Sequence, residues 1–373
     1  MPRHPRELTR SRAPPYARPS KQQVTSHSRH SSSHKNPVKL LPARSQELPP
    51  ELASLTDRAL RSSLAKSTQS NYNSALRSFQ QFCEKYGIPQ ECRFPIDERI
   101  LCAFVGSHAG ITAGGTAANR VSALKTLHAL RNLPWQGGVR LGYVLRGVAN
   151  AAPSSTTRPV RPPVTTHMLH ILHTHLDLAS PRDLAVFALA LVAFWGQCRL
   201  GELVAHSRRE THSPRLPSIK SVTRNEKSGS TRELHLPCTK TSQRLGEMVI
   251  LTRQDGPLDP VRAIAQLIRA NGYPDSGTNL FTYRRSPKDG LRAITKEVFL
   301  GRCNEIWTAH GIQRITGHSF RCGGTSELLE RGIAPEVVKQ MGRWKSEAFY
   351  RYWRGLGSIA AKHAAQASSR PRG

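Results

Sequence analysis

Apolar residues recur every three or four positions through Tyr72, Leu76, Phe79, Phe82 and Tyr86, and the run stops at Gly87. That is the period of one amphipathic helix closed by a glycine. A second stripe passes through Val121, Leu124, Leu127 and Leu130, while Arg120, Lys125 and Arg131 occupy the remaining faces. The pattern predicts a helix with a core side and a basic side. Shorter helices are predicted over Glu98–Ser107 and Val139–Asn150. At 152–164, APSSTTRPVRPPV, four prolines and a Ser/Thr run interrupt every period, which marks a linker between domains.

Beyond the break the pattern changes. Ser180-Pro181-Arg182-Asp183 offers an N-cap hydroxyl, a proline at the first helical position and an acid at the third, which together start a helix. The apolar stretch that follows, Leu184 to Trp195, falls short of the roughly 20 residues of a membrane span and reads as a buried core helix. Three β-like runs come next, near Ser218–Arg224, Arg232–Pro237 and Met248–Thr252, separated by the turn sequences NEKSGS and TSQRLGE. A small antiparallel sheet is expected. Helices resume over Asp259–Ala270, Lys296–His310, Ser319–Glu330, Pro335–Met341 and Ser346–Arg354. The expected organisation is mainly α: a disordered basic tail over 1–50, a helical domain over 51–151, a linker over 152–164, a mainly helical domain with the small sheet over 165–355, and an Ala-rich C-terminal arm over 356–373. The tail is rich in Ser, Pro, His and Arg and has almost no apolar periodicity, so it lacks the burial that offsets folding entropy.

Charge narrows the function. The chain of 373 residues carries 55 Lys+Arg against 25 Asp+Glu, a net +30, far more than solubility requires. The first 50 residues hold ten Lys/Arg and two acids, so residues 51–373 still carry +22. A polyanionic partner follows, and the face bearing Arg120, Lys125 and Arg131 becomes a candidate DNA contact. Charge alone fits a ribosomal- or chromatin-type binder without chemistry equally well. Seven scattered cysteines with no C-x-x-C pair read as reduced, packed thiols rather than a zinc site or a disulfide framework. No membrane partner is expected, and the Arg- and Ser-rich N-terminus lacks the apolar middle of a secretory signal.

The second half supplies the groups that metal-independent phosphodiester cleavage needs: cations around the phosphate, a nucleophile, and a proton donor for the departing oxygen. Arg199 lies in R-L-G-E-L with Glu202 three residues on, close enough to hold the guanidinium. Lys240 follows the second β-run in C-T-K-T-S-Q, with Lys220 and Lys227 as alternatives in the same region. His318 and Arg321 form H-x-x-R in G-H-S-F-R at an expected helix start, where backbone amides favour a phosphate. G-R-W-K-S-E-A-F-Y-R-Y-W-R then holds Trp344 and two tyrosines, Tyr350 and Tyr352.

Arg, Lys, H-x-x-R, Trp and Tyr in this order resemble the tyrosine recombinase and integrase superfamily, from about Ser67 to Arg354. G-H-S-F-R-C-G-G-T followed by M-G-R-W-K-S-E-A-F-Y-R-Y-W-R is similar to integrases of DIRS-like and Crypton-type eukaryotic mobile elements. The resemblance implies a helical (SAM-like) core-binding domain and an α+β catalytic domain that close on duplex DNA, with four protomers on two sites and no metal or small-molecule cofactor. It implies that Tyr352, matching the family's Y-x-R ending, attacks the phosphate to give a 3′-phosphotyrosyl bond and a free 5′-hydroxyl, with Tyr350 as packing. Arg199, Arg321, His318 and Trp344 cradle the phosphate in this scheme. Lys240 protonates the leaving oxygen, and His318 exchanges the tyrosine proton. A nuclear setting follows from the eukaryotic likeness. The same residues leave room for a catalytically silent, domesticated DNA-binding protein and for a type IB topoisomerase.

Overall fold

The structure, a computed structural model, describes residues 49–157, 162–225, 227–286, 288–345 and 349–350. Tyr352, most of the helix expected over Ser346–Arg354, the arm at 356–373 and nearly all of the tail over 1–50 lie outside the described residues. The chain divides into two compact units, residues 1–156 and 157–373, and the division falls within the proline-rich stretch.

The first unit is helical: α1 (Pro50–Ser62), α2 (Lys66–Lys85), α3 (Glu98–Gly106), α4 (Gly114–Leu130) and α5 (Val139–Asn150). The apolar stripe of α2 delivers Phe79 and Cys83 to a core with Leu101, Phe104, Val121, Leu124, Leu141 and Val148. Phe79 and Phe104 meet edge to face, with centroids 5.4 Å apart, a favoured aromatic geometry. Two polar side chains set the helix ends. The Glu98 carboxylate accepts the Gly138 N–H at 2.7 Å at the start of α5. Buried His128 accepts the Ile96 N–H at 3.0 Å and donates from Nδ1 to the Leu124 carbonyl at 2.8 Å.

The second unit is built around α7 (Pro181–Trp195), whose residues from Asp183 to Trp195 are all buried. A helix apolar on every side requires cover on every side. Cover comes from α6 (Thr166–His175), α8 (Pro260–Ala270), α9 (Lys296–Ala309) and α10 (His318–Glu330), with α11 (Pro335–Met341) after α10. A sheet in the order β1 (Val222–Arg224), β2 (Thr231–Leu236), β3 (Glu247–Thr252) is antiparallel throughout. β2 turns Leu234 and Leu236 to the core and β3 turns Val249 and Leu251 there. A second, two-stranded ribbon pairs β4 (Thr282–Arg284) with β5 (Leu291–Ala293). α10 lies so close to α7 that a Cβ at Gly324 would stand 1.9 Å from the Phe194 carbonyl oxygen; only glycine permits that approach.

Three sequence expectations change. The Ser180 hydroxyl makes no cap to α7; Asp183 instead turns inward, where it accepts from Arg302 at 2.8 Å and from the Asp177 N–H at 3.2 Å. The β4–β5 ribbon, α1 and α6 are not among the predicted elements. The run read as a strand from Ser218 begins with a 3-10 turn at Ile219–Ser221, because Lys220 bonds through its N–H to Ser276 rather than to a strand. Among the described residues no helix is long and apolar enough to cross a membrane, and the seven cysteines form no disulfide.

Candidate active site

The pocket assembles where α7 ends. After Gly196, Gln197 takes a left-handed φ of +47° and is wholly buried. Arg199 then serves as N-cap of the 3-10 turn Leu200–Glu202. Glu202 folds back beneath it: Oε1 accepts Arg199 Nη1 at 2.6 Å and Oε2 accepts the Arg199 N–H at 3.0 Å. Such charge-assisted bonds fix a guanidinium more tightly than neutral ones. The Arg199 side chain remains 26% exposed while Glu202 is 4% exposed, so the carboxylate is the buried anchor and the arginine is the part that faces out.

Arg343 completes the anchor. Its Nη2 donates to Glu202 Oε2 at 2.9 Å, and its Nε stands 3.6 Å from Glu247 Oε2 on β3. Arg343 is 6% exposed and has a φ of +57°. One carboxylate therefore joins two guanidiniums from segments far apart in sequence. Cys198 lies against this cluster, 4.0 Å from Arg343 Nη1; burial pushes its thiol up from the ordinary value, which leaves it a poor nucleophile.

Arg321, on the first turn of α10, is wholly buried. Its Nη1 donates to the Gln197 carbonyl and its Nη2 to the Gly342 carbonyl, and the guanidinium lies over the Trp344 ring at 3.9 Å. Nε has no hydrogen-bond partner among the described residues. Burial, then the positive charges of Arg199 and Arg343, lower its pKa to about 10, so it stays charged at neutral pH. Gly317 seats α10 on the Arg199 turn: a Cβ there would stand 2.5 Å from Leu200. That contact brings His318, the first residue of α10, beside the same turn.

The β2–β3 loop is hooked to this cluster. Thr241 Oγ1 donates to Glu247 Oε1 at 3.0 Å, and Lys345 Nζ donates to the Thr241 carbonyl at 3.4 Å. The Thr239 hydroxyl accepts the Ser242 N–H at 2.9 Å, shaping the turn that carries exposed Lys240. Lys227 lies in the β1–β2 turn, at the other end of β2, and Lys220 precedes β1, which pairs only with β2. Of the three lysines, Lys240 sits in the loop tied to the Arg343–Lys345 segment.

No protein-family model and no curated protein matches the sequence. Solved structures do match the fold. The XerH site-specific recombinase bound to a palindromic difH substrate, in a post-cleavage complex, aligns with a TM-score of 0.55 at 14% identity, over 81% of this chain and 80% of that one. The Tn1549 transposon integrase in complex with transposon right end DNA aligns at 0.52 and 13% identity, over 85% and 99%. The pre-cleavage XerH complex with difH aligns at 0.51 and 14% identity, over 79% and 78%. The chain has the tyrosine-recombinase fold.

Within this recombinase fold, Arg199, Glu202, Arg321, Trp344 and the Lys240 loop converge on one place, and His318 adjoins it. Arg321, expected to hold phosphate oxygens, has two of its three nitrogens each donating to a backbone carbonyl, and none of the side chain is exposed. Tyr350, expected to pack, is 54% exposed, and the buried neighbour is Phe349 at 1%. Sequence reasoning missed Arg343 and Gln197, whose roles arise from tertiary partners.

Of the basic residues of α4 and its C-cap Arg131, Lys125 stands on a different face from Arg120. Half-buried Arg120 bonds His108 Nε2, Arg131 lies 5.0 Å over the Phe94 ring, and Lys125 is exposed. At 100° per residue, Lys125 stands about 140° around the helix from Arg120.

Proposed function

We propose that this chain is a DNA strand-transferase working by the tyrosine-recombinase reaction. The observation that carries the reading is the buried Glu202 carboxylate holding Arg199 partly exposed, next to the buried charge of Arg321 over Trp344. A fixed guanidinium at the surface, with a second positive charge beneath it, suits a phosphorane-like transition state that gains negative charge. Arg199 makes the direct contacts in this scheme, and Arg321 contributes field from the pocket floor.

Tyr352 Oη attacks the phosphorus and its proton passes to His318. The P–O bond to the tyrosine forms as the P–O5′ bond breaks, and Lys240 donates the proton that the departing 5′ oxygen takes up. An unperturbed phenol near pKa 10 needs such a base. Reversal, with a 5′-hydroxyl from a second strand, reseals the backbone. We further assign the chain, on the likeness of its G-H-S-F-R and G-R-W-K-S segments, to mobile-element integrases acting in the nucleus as homotetramers on duplex DNA.

A nicked duplex from which the 5′-hydroxyl fragment diffuses away traps the intermediate. Wild-type protein is expected to form a denaturant-stable adduct, and Tyr352→Phe to bind the duplex without forming one. Adduct formation by Tyr352→Phe contradicts the assignment of the nucleophile, and tight binding without any wild-type adduct contradicts strand transfer altogether.

A further inference from the structure

Outside the candidate active site, the second unit brings two imidazoles together where α6 and α9 end. His175 is the last residue of α6 and His310 is the C-cap of α9. Their Nε2 atoms stand 2.9 Å apart although 135 positions separate them in the chain, and both side chains are exposed. The scaffold beneath them is firm. α6 delivers Met168, Leu169 and Leu172 to the main core and α9 delivers Phe299, Ile306 and Trp307, while the Trp307 indole donates to the Met168 carbonyl at 2.9 Å. Packing and this buried bond set the spacing of the two helices, so the imidazole pair is held at its distance by the core rather than by its own contact.

The rings are not aimed head-on. A linear hydrogen bond between two imidazole nitrogens at this separation would hold the ring centres about 5 Å apart, whereas they lie 4.2 Å apart with their planes at 59°. The ring axes are bent to one side of the N–N line, as they are when two nitrogens share a third atom. Two metal–nitrogen bonds of about 2.0–2.1 Å meeting at a right angle place their nitrogens about 2.9 Å apart, and a tetrahedral angle opens that to about 3.3 Å. The observed separation fits the right angle, which is the geometry of tetragonal Cu(II) and Ni(II) with nitrogen ligands.

His310 is also oriented for such a role. Its Nδ1 lies 2.9 Å from the Ile306 carbonyl. A carbonyl only accepts, so Nδ1 carries the proton and Nε2 of the neutral ring keeps its lone pair. A histidine ligand commonly donates its second ring N–H to such a carbonyl, which sets both tautomer and ring orientation.

We propose that His175 and His310 form a two-histidine site for a divalent transition-metal ion of the Cu(II) or Ni(II) class, which clips the C-terminal ends of α6 and α9 together. Among the described residues no cluster of three or more His, Cys, Asp or Glu side chains is placed to hold a metal, so water completes the coordination. The ion stabilises the folded unit because the two ligands converge only there. The proposal does not depend on the strand-transfer reading and assigns the metal no part in that chemistry.

The test follows thermal unfolding of the full chain with and without nickel chloride, for wild type, His175→Gln, His310→Gln and a control on the same helix, His167→Gln, also exposed. The histidines of the first 50 residues are common to all four proteins and cancel in the comparison. Wild type and the control are expected to gain about 3 °C or more on adding nickel, and both site variants to lose that gain. Each protein is its own reference, so a variant that melts lower without metal still reports on the site. Hydrogen exchange locates the effect: nickel is expected to slow amide exchange in the last turns of α6 and α9 in wild type and control, and in neither site variant. An equal nickel response in all four proteins overturns the proposal, as does no response in wild type, which leaves the pair a hydrogen bond only. A full response in one of the two site variants shows a single histidine binding alone and removes the two-ligand site.

Discussion

Glu202 is 4% exposed and bonded to two arginines. Replacing it with glutamine leaves buried Arg343 without its main counter-charge, and the loss of one partner of a buried pair costs about 3–5 kcal/mol. Because Arg199 is partly solvated, Glu202→Gln is expected near the lower end, read as a shift in the denaturant midpoint of the second unit. Arg199→Lys separates charge from geometry. It keeps the cation and loses the fork, so adduct formation is expected to slow by about a hundredfold while duplex affinity changes little; wild-type rates in that variant would remove Arg199 from the reaction. At this scale much of the pocket is legible in sequence, since Arg199, Lys240, His318, Arg321 and Trp344 stand in a telling order. Arg343 is not. An arginine between Gly342 and Trp344 reads as a solvated charge, and its burial depends on Glu202 and Glu247, carboxylates about a hundred residues or more away. The carbonyl partners of Arg321 are equally invisible, because backbone acceptors leave no mark in composition.

α7 and α10 show what a helix pair asks of its residues. Gly324→Ala drives a methyl into the Phe194 carbonyl, an overpacking that is expected to cost about 1–3 kcal/mol or more. Gly301→Ala, in α9 with nothing within 4 Å of the added carbon, is expected to stabilise by about 0.5–1 kcal/mol. Thermal melts of the two variants check both signs, and a neutral Gly324→Ala contradicts the packing. In the first unit, α3 and α4 meet through His108, which donates from Nδ1 to the Phe104 carbonyl at 2.7 Å and accepts from Arg120. Burial, more than the nearby Arg120 charge, lowers its pKa from 6.5. The unfolded chain therefore takes up the proton first: stability is full above pH 6.5 and is lost as pH falls from there through the folded value. Hydrogen exchange corrected for intrinsic rates is expected to show weaker protection of α3 and α4 at pH 5.5 than at pH 7.5, and equal protection contradicts a neutral buried His108. Helices predicted as ranges, such as α3, α5, α8 and α9, are legible to within a residue or two, whereas the apolar stripes of α2 and α4 mark only their later turns. The β4–β5 ribbon is not legible, because three-residue strands carrying Arg284 and Arg292 offer no alternation long enough to read. Nor could the pattern show that Asp183 leaves the helix start to pair with Arg302, 119 residues away.

At the scale of the molecule, a net +30 is placed on a recombinase fold whose candidate site collects cations from the turn after α7, from α10 and from the segment after α11. Charge by itself fits a non-catalytic binder equally well; the solved recombinase and integrase structures, at 13–14% identity, show the shared fold, and strand transfer is the reading proposed above from the ordered residues. The nucleophile is the remaining element of that reading. Trapping the covalent complex on a nicked duplex, digesting it with protease and sequencing the DNA-linked peptide by mass spectrometry tests it most directly. One modified residue, Tyr352, is expected, in the peptide that follows Trp344. Linkage through Tyr350 or any residue outside that peptide, or no covalent complex at all under conditions of saturated binding, contradicts it.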